Sequence, residues 1–493
     1  MFSLKLPQKE SNLLLLLLVV YLLTRIPLLF YLPFVQDEAL YAIMIEEQKD
    51  GFTLIPTFLN YQVSWKPPLF FWVYSIFPEL PIQLEANYRF PSFLFGFLSI
   101  PFLYYFFRNC NISKNLSFFS VLIFLCSFIT MYGQTAILTD SMLFFLICAS
   151  LFVYSEENLG DWRFLLAGLL AFAAFFVKLV IAFMIPILAI AYFYDKRKTL
   201  KKPLFLLSLL AVPLAFLLNY ILFADLATEF YEGNILSHLL HPTGLLGQVA
   251  NFVGAFNIFL EGAIIWFALS LFGLWKHWKE NKVMTCWFAL SIFPLLTGFF
   301  MAWYFLPIMP AVTYFAGMAL LKWDGKERID TFFALFFGAT LLISLYGAFF
   351  FTYVSYHDAF TPQKEAGLLI SGKENVAIIG TYTPGVLAYK MLSEKKSLGA
   401  PLDVGWILYV DINQSYVSDF AVDYYSDKYN VVDGSFSGIF TSPGIYRKDT
   451  NISSFDYIVV VGPYMLEEYE LLYNSSENYP NMSAKEIKIY KSD

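Results

Sequence analysis

Gln36-Asp37-Glu38-Ala39-Leu40-Tyr41-Ala42 follows the first long apolar run of the chain, and Trp65-Lys66-Pro67-Pro68 lies further along the same loop. Two carboxylates thus stand at the mouth of a membrane helix, and a cation returns toward the same surface. Ionisable groups at membrane depth are costly, so their default reading is functional. The pattern points to chemistry at a bilayer face.

Composition supports a membrane setting. Of 493 residues, 58% are hydrophobic and 14% charged, with 55 Phe and 33 Tyr. Apolar runs of roughly 17–25 residues, the length that spans a hydrocarbon core as helix, recur along the chain. The run from Leu13 to Leu32 is too long for the core of a signal peptide and lacks a small-residue cleavage site, so it reads as a retained helix. Cys110, Cys126, Cys148 and Cys286 lie in or beside apolar runs, and the polar tail has no cysteine, so no disulfide framework or CxxC metal spacing is expected. Lys+Arg and Asp+Glu number 21 and 21 before residue 356, which leaves 32 − 21 = 11 and 39 − 21 = 18 after it. The acidity belongs to the tail, and nucleic-acid binding has no support.

Hydropathy places about 11 spans, near 11–33, 89–107, 117–134, 141–155, 163–177, 179–194, 203–223, 252–275, 283–301, 304–321 and 331–354. The basic clusters 195–202, 276–282 and 322–328 all fall on one side if the N-terminus is cytoplasmic, as the positive-inside rule asks. Arg25, Lys49, Lys66, Arg89 and Lys178 are the exceptions; four of them belong to the outer side or to the outer end of a helix, and binding an anion is the reason those suggest. The same parity puts Asp37, Lys66, Arg89 and Asp140 on the outer face.

The expected architecture is an α-helical polytopic membrane domain over 1–355, with a long first outer loop at 34–88. A small extracytoplasmic α/β domain is expected over 356–493. In the loop, Ala39 to Gln48 mixes apolar and polar residues in the manner of a short helix lying in the interface plane. Gly51 would stop it, and Pro67-Pro68 would turn the chain into an extended stretch. In the tail, 376–380 and 457–462 read as buried strands. Asn-x-Ser sequons at Asn413, Asn451, Asn474 and Asn481 are compatible with an outside tail.

Four motifs in order carry a resemblance. They are Asp-Glu-x-x-Tyr-Ala at 37–42, Lys-Pro-Pro-Leu-x-x-Trp at 66–72, Arg-x-Pro-Ser at 89–92 and Thr-Asp-Ser at 139–141. Together they resemble the polyprenyl-phosphate-sugar-dependent glycosyltransferases of the GT-C fold, in particular the protein O-mannosyltransferase and lipid A aminoarabinose transferase groups. The resemblance is close over the first 200 residues or so and looser beyond.

It implies an enzyme that moves one sugar, mannose or another hexose or pentose, from a polyprenyl-monophosphate carrier such as dolichyl phosphate. The acceptor hydroxyl, on protein, glycan or lipid, lies at the outer face of the plasma membrane, and the anomeric centre inverts. Asp37 matches the catalytic acid of the first outer loop and Glu38 its neighbour, and a carboxylate there would deprotonate the acceptor. Asp37 can also be read as a helix-terminus charge, and Glu38 as a helix cap. Lys66 and Tyr41 match positions near the donor phosphate, where a cation and a phenol would stabilise growing charge. Headgroup snorkelling and an interfacial belt are the competing readings. Asp140 matches the second acid. It could assist Asp37, orient the acceptor or hold a divalent cation, or simply cap the next helix.

Arg89 fits the family's Arg-x-Pro-Ser opening of a helix. Lys178 stands where relatives often carry Lys-Gly, but Leu179 follows here. His238 and His241 fall where the family shows His-x-x-Arg, and their charge would depend on pH. Tyr304 precedes Phe305-Leu306-Pro307 without the basic residue that relatives place before this motif. A divalent cation is not demanded, since two separated acids are thin ligation. A transporter or carrier flippase, and a catalytically silent GT-C scaffold, are the rival readings. No pattern of inverted repeats favours the former.

Overall fold

The computed structural model describes residues 9–35, 37–58, 61–62, 66–222, 253, 264–290, 302–321, 338–339, 342–343, 345–346, 358–373, 376–380, 384–398, 407–410, 456–461, 470–478 and 486–491. The chain divides into two compact units. One comprises Met1–Phe30, Lys66–Phe70 and Ile82–Phe351; the other comprises Tyr31–Trp65, Phe71–Pro81 and Thr352–Asp493. The division does not follow a single cut near 355: most of the first loop groups with the C-terminal segment.

The first unit is helical. It contains α1 (Glu10–Tyr31, up to Phe30), and α2 (Asp37–Asp50) and α3 (Leu69–Ser75) follow in the chain. Then come α4 (Leu84–Asn109), α5 (Lys114–Leu125), α6 (Phe128–Gly133), α7 (Thr139–Ser155), α8 (Trp162–Lys178) and α9 (Met184–Phe193). Helices Pro203–Leu209, Ala211–Leu222, Lys282–Ala289 and Met309–Leu321 lie further along the same unit. Among the described residues, 10–31, 84–109, 203–222 and 304–321 are long and apolar enough to cross a membrane, and 114–125, 139–155, 181–193 and 264–277 are shorter apolar helices. Small residues let neighbouring helices approach. Gly96 of α4 lies against the Tyr21 ring of α1, and Gly168 of α8 against Ser208. The Ser141 hydroxyl of α7 donates to the Ser92 carbonyl of α4 at 2.6 Å, and Ser150 of α7 donates to the Ala167 carbonyl of α8 at 2.8 Å.

Several sequence expectations need correction. The run expected as one helix over 117–134 breaks at Cys126-Ser127 into α5 and α6, and 179–194 begins as a 3-10 turn over Leu179–Phe183. Hydropathy is uniform across both runs and cannot show such breaks. Arg89 sits inside α4, more than a turn from its start, rather than opening it. The span expected at 331–354 lies almost wholly outside the described residues, as do parts of those at 252–275 and 283–301.

Arg25 is also not an anion site. It is fully buried, and its guanidinium donates to the Leu125 carbonyl, to Gln134 Oε1 at 3.0 Å and to Thr130 Oγ1 at 3.4 Å, above the Tyr21 ring. Breaking α5 from α6 leaves carbonyls without helical donors, and Arg25 supplies one.

The second unit is α/β. Strands β1 (Thr57–Phe58) and β2 (Tyr61–Gln62) form a hairpin in the loop segment. β3 (Val376–Gly380), β4 (Ile407–Val410), β5 (Tyr457–Val461), β6 (Glu470–Asn474) and β7 (Ile487–Lys491) form one sheet in the order β4-β3-β5-β7-β6. β3 pairs in parallel with β4 and β5, while β7 runs antiparallel to β5 and β6. The two strands read from the sequence are β3 and β5. Val376, Val459, Ile487 and Ile489 join Ala366, Ile370 and Val386 in its core.

α2 belongs to this unit and is not an interfacial helix. Residues Glu38 to Gln48 are all buried, and α2 packs on helix Pro384–Leu398. Just before it, the Phe34 amide donates to the Tyr389 hydroxyl at 2.8 Å. α2 does end immediately before Gly51. Pro67-Pro68 leads within a turn into α3 rather than into an extended stretch, because Pro fits the first turn of a helix, where its missing N–H is not needed.

Candidate active site

Three residues nominated separately by the sequence meet in the helical unit. Asp140 lies in the first turn of α7, whose cap is Leu138, so the capping reading of Asp140 fails. Its carboxylate is 1% exposed and accepts two hydrogen bonds from Lys178 Nζ, at 2.7 Å to Oδ1 and 2.8 Å to Oδ2. Lys178 is the last residue of α8, and its ammonium stands 4.0 Å from the centre of the Tyr304 ring. The two helix ends favour these charges, since an acid suits an N-terminus and a cation a C-terminus. A carboxylate withdrawn from water needs a partner that satisfies both oxygens. The face of an aromatic ring adds attraction for the same cation.

The backbone that delivers Lys178 is unusual. Leu179 has φ +34° and ψ −116°, a region that glycine enters freely and leucine does not. The position expected from the sequence to be followed by glycine is followed here by Leu179 in a conformation that glycine adopts more easily. The helix ends there, the chain turns into the 3-10 segment, and Lys178 is left at the α8 terminus facing Asp140. Tyr304 arrives on the 3-10 segment Ala302–Ile308, which packs against α6 and α7. Gly133 of α6 accommodates the Leu306 side chain there.

A second buried polar network, which the sequence reading missed, lies at the end of α6. Gln134 follows α6 and shares a network with Arg25 and with Ser99, whose hydroxyl is 3.3 Å from Gln134 Nε2. Only a few residues then lead to Asp140. The available signal was Thr130 and Gln134, four apart in an apolar run, with Arg25 in an apolar helix.

The remaining nominated residues are placed as follows. Asp37 is the first residue of α2, and Glu38 is buried with its Oε2 accepting the Val35 amide at 3.0 Å, so Glu38 serves as a helix-start ligand. Tyr41 is buried with its ring edge against Phe71, centroids 5.7 Å apart. Asp37, Glu38 and Tyr41 belong to the α/β unit; Lys66, Arg89, Asp140, Lys178 and Tyr304 belong to the helical one. Arg89 is buried and Lys66 partly so. Lys49, the other exceptional cation, pairs with Glu46 at 3.1 Å. His238 and His241 lie outside the described residues. Among the described residues, no three His, Cys, Asp or Glu side chains group as ligands for a metal ion.

A family model described as dolichyl-phosphate-mannose-protein mannosyltransferase matches residues 65–222, less than half of the chain. The matched stretch contains Lys66, Arg89, Asp140 and Lys178. Among solved structures, ArnT from Cupriavidus metallidurans bound to undecaprenyl phosphate is similar at 13% identity, with a TM-score of 0.62 and 97% of each chain covered. The apo state of the same protein gives a TM-score of 0.59 at 13% identity, again over 97% of each chain. No curated protein matches this chain. At that identity the structures show a shared fold, and it is the polytopic GT-C fold with a small C-terminal sheet that the sequence led one to expect. The glycosyltransferase class read from the sequence agrees with the family match.

Proposed function

We propose that this protein is a membrane glycosyltransferase that takes one sugar from a polyprenyl-monophosphate carrier and places it on an acceptor hydroxyl at the outer face, with inversion. The observation that carries the reading is the Asp140–Lys178–Tyr304 group, a largely shielded cation held in a neutral pair with a buried carboxylate beside a phenol. Such a pair stores a phosphate-binding charge without leaving it bare. A donor phosphate competes with Asp140 for the Lys178 ammonium, takes up part of its hydrogen bonding and frees the carboxylate. As the glycosidic C–O bond to phosphate breaks, negative charge grows on the departing phosphate, and Lys178 and Lys66 stabilise it. Asp37 takes the proton of the acceptor hydroxyl as its oxygen attacks the anomeric carbon from the opposite face. One base suffices for a single displacement with inversion.

Asp140, once released, orients the acceptor. Arg89, His238 and His241 are assigned to the donor side on the resemblance alone. A divalent cation is not required by this scheme. The match to ArnT bound to undecaprenyl phosphate supports a polyprenyl-phosphate carrier. The orientation follows the basic clusters, with the N-terminus cytoplasmic and the α/β unit outside the plasma membrane.

The test is incubation of the purified protein with radiolabelled polyprenyl-phosphate sugars, mannose first, and a panel of protein, glycan and lipid hydroxyl acceptors. Label reaching an acceptor with the wild type and not with Asp37→Asn supports the scheme. Full transfer by Asp37→Asn contradicts the assignment of the base. Failure of every carrier would leave a flippase or scaffold as the better reading.

A further inference from the structure

The opposite end of the helical unit carries a second organised group of charges that the transfer scheme does not use. It comprises the C-terminal ends of α7 and α9, the start of α8, the start of helix Pro203–Leu209 and the turn before helix Lys282–Ala289. Ion pairs tie these segments together: Lys196–Glu157 at 2.7 Å, Lys202–Asp161 at 2.5 Å and Lys282–Asp195 at 2.6 Å. Lys282 Nζ also lies 4.8 Å from the centre of the Tyr194 ring. Glu280 meets the His277 ring nitrogen at 2.6 Å.

The acids Glu157, Asp161, Asp195 and Glu280 are thus each engaged. Arg197, Lys198, Lys201 and Lys279 are exposed and have no acid partner among the described residues. Trp162 follows Asp161 at the start of α8, and Trp275 and Trp278 precede Lys279, which stands 5.1 Å from the centre of the Trp278 ring; the three are 75%, 73% and 51% exposed. An apolar track starts at the same place. Leu206, Leu210, Leu214 and Leu217 are about half exposed and recur along one face of 203–222.

We propose that this end binds the headgroup of an anionic phospholipid, its phosphate at Arg197, Lys198, Lys201 and Lys279 and its acyl chains along the Leu206–Leu217 track. A surplus of cations beside exposed indoles matches an anionic lipid surface. The adjoining apolar track favours an amphiphile over a free phosphate.

The test uses the full-length protein in detergent and follows thermal unfolding, which does not depend on the transfer activity. Phosphatidylglycerol, phosphatidylcholine and soluble glycerol 3-phosphate are added at equal concentration. Phosphatidylglycerol is expected to raise the unfolding temperature and the other two to leave it unchanged. The variant Arg197→Gln/Lys198→Gln/Lys201→Gln/Lys279→Gln is expected to unfold like the wild type without lipid and to lose most of the phosphatidylglycerol shift. The charge-preserving set Arg197→Lys/Lys198→Arg/Lys201→Arg/Lys279→Arg is expected to keep it, which guards against misfolding of the first set. Equal shifts with phosphatidylcholine, a full shift with glycerol 3-phosphate, or an undiminished shift in the glutamine variant would each overturn the proposal.

Discussion

Helix α8 carries a lysine–aspartate pair at each end, and the two pairs do different things. At its start, Asp161 meets Lys202 at 2.5 Å with side chains 50% and 40% exposed; at its end, Lys178 meets Asp140 with side chains 13% and 1% exposed. Water screens the first pair and competes for both partners, so it contributes little to stability. The second pair is largely withdrawn from water, and each member satisfies a charge the other cannot leave uncompensated. Equal chemistry and similar distance thus yield a surface tether at one end and a buried, exchangeable charge at the other. Burial decides which of the two can serve a reaction.

The largest expected effect comes from breaking the buried pair. Lys178→Met strands the Asp140 carboxylate, which is expected to cost about 3–5 kcal/mol of stability and roughly 10²–10³-fold in transfer rate. Chemical unfolding and initial-rate assays in the same detergent would read both, and a variant close to wild type in each would erase the contrast.

Relaxing the backbone beside the pair should act more mildly and with the opposite sign. A non-glycine residue in the conformation of Leu179 costs about 1–3 kcal/mol, and the entropy that glycine brings to the unfolded chain offsets up to about 1 kcal/mol. Leu179→Gly is therefore expected to stabilise the protein by up to about 2 kcal/mol with transfer retained, whereas Leu179→Val should destabilise it. A calorimetric comparison of the two variants checks the order.

At the exposed end, Lys202→Gln is expected to change stability by less than about 1 kcal/mol and to leave transfer intact. Whatever effect it has should fade with added salt.

The smallest effect is pH-dependent. The hydrogen bond and charge of Lys196 hold the Glu157 carboxyl below its ordinary value. A depressed carboxylate lends stability above its unfolded pKa and loses it as pH falls through the folded value. A slight loss of thermal stability on the acid side is expected, absent in Glu157→Gln, and a difference between the two curves near neutral pH would argue against this origin.

Much of the buried end was legible in the sequence. Parity of the spans put Asp140 on the outer face, and the family resemblance singled out Lys178 and Tyr304. Their convergence needed only that helices of ordinary length alternate across a bilayer. The two inner strands of the sheet were legible for a similar reason, since short β-branched runs between turn residues have few other uses.

What escaped were features that hydropathy does not carry. The break between α5 and α6 lies in an unbroken apolar run, and its support comes from Arg25, far away in the chain. α2 reads as amphipathic, yet it is buried: helix Pro384–Leu398 packs on it, and Glu46 pairs with Lys49 within the helix. A helix with such a pattern looks interfacial until its tertiary partner is known.

The central claim is that Lys178 is shared between Asp140 and the donor phosphate, and equilibrium binding of a polyprenyl phosphate tests it most directly. Wild type, Lys178→Met and Asp140→Asn would be titrated side by side. The account predicts that Lys178→Met weakens binding sharply. It also predicts that Asp140→Asn binds as well as wild type or better, because the ammonium no longer has a competing carboxylate. Unchanged binding by Lys178→Met, or parallel losses in both variants, would contradict it.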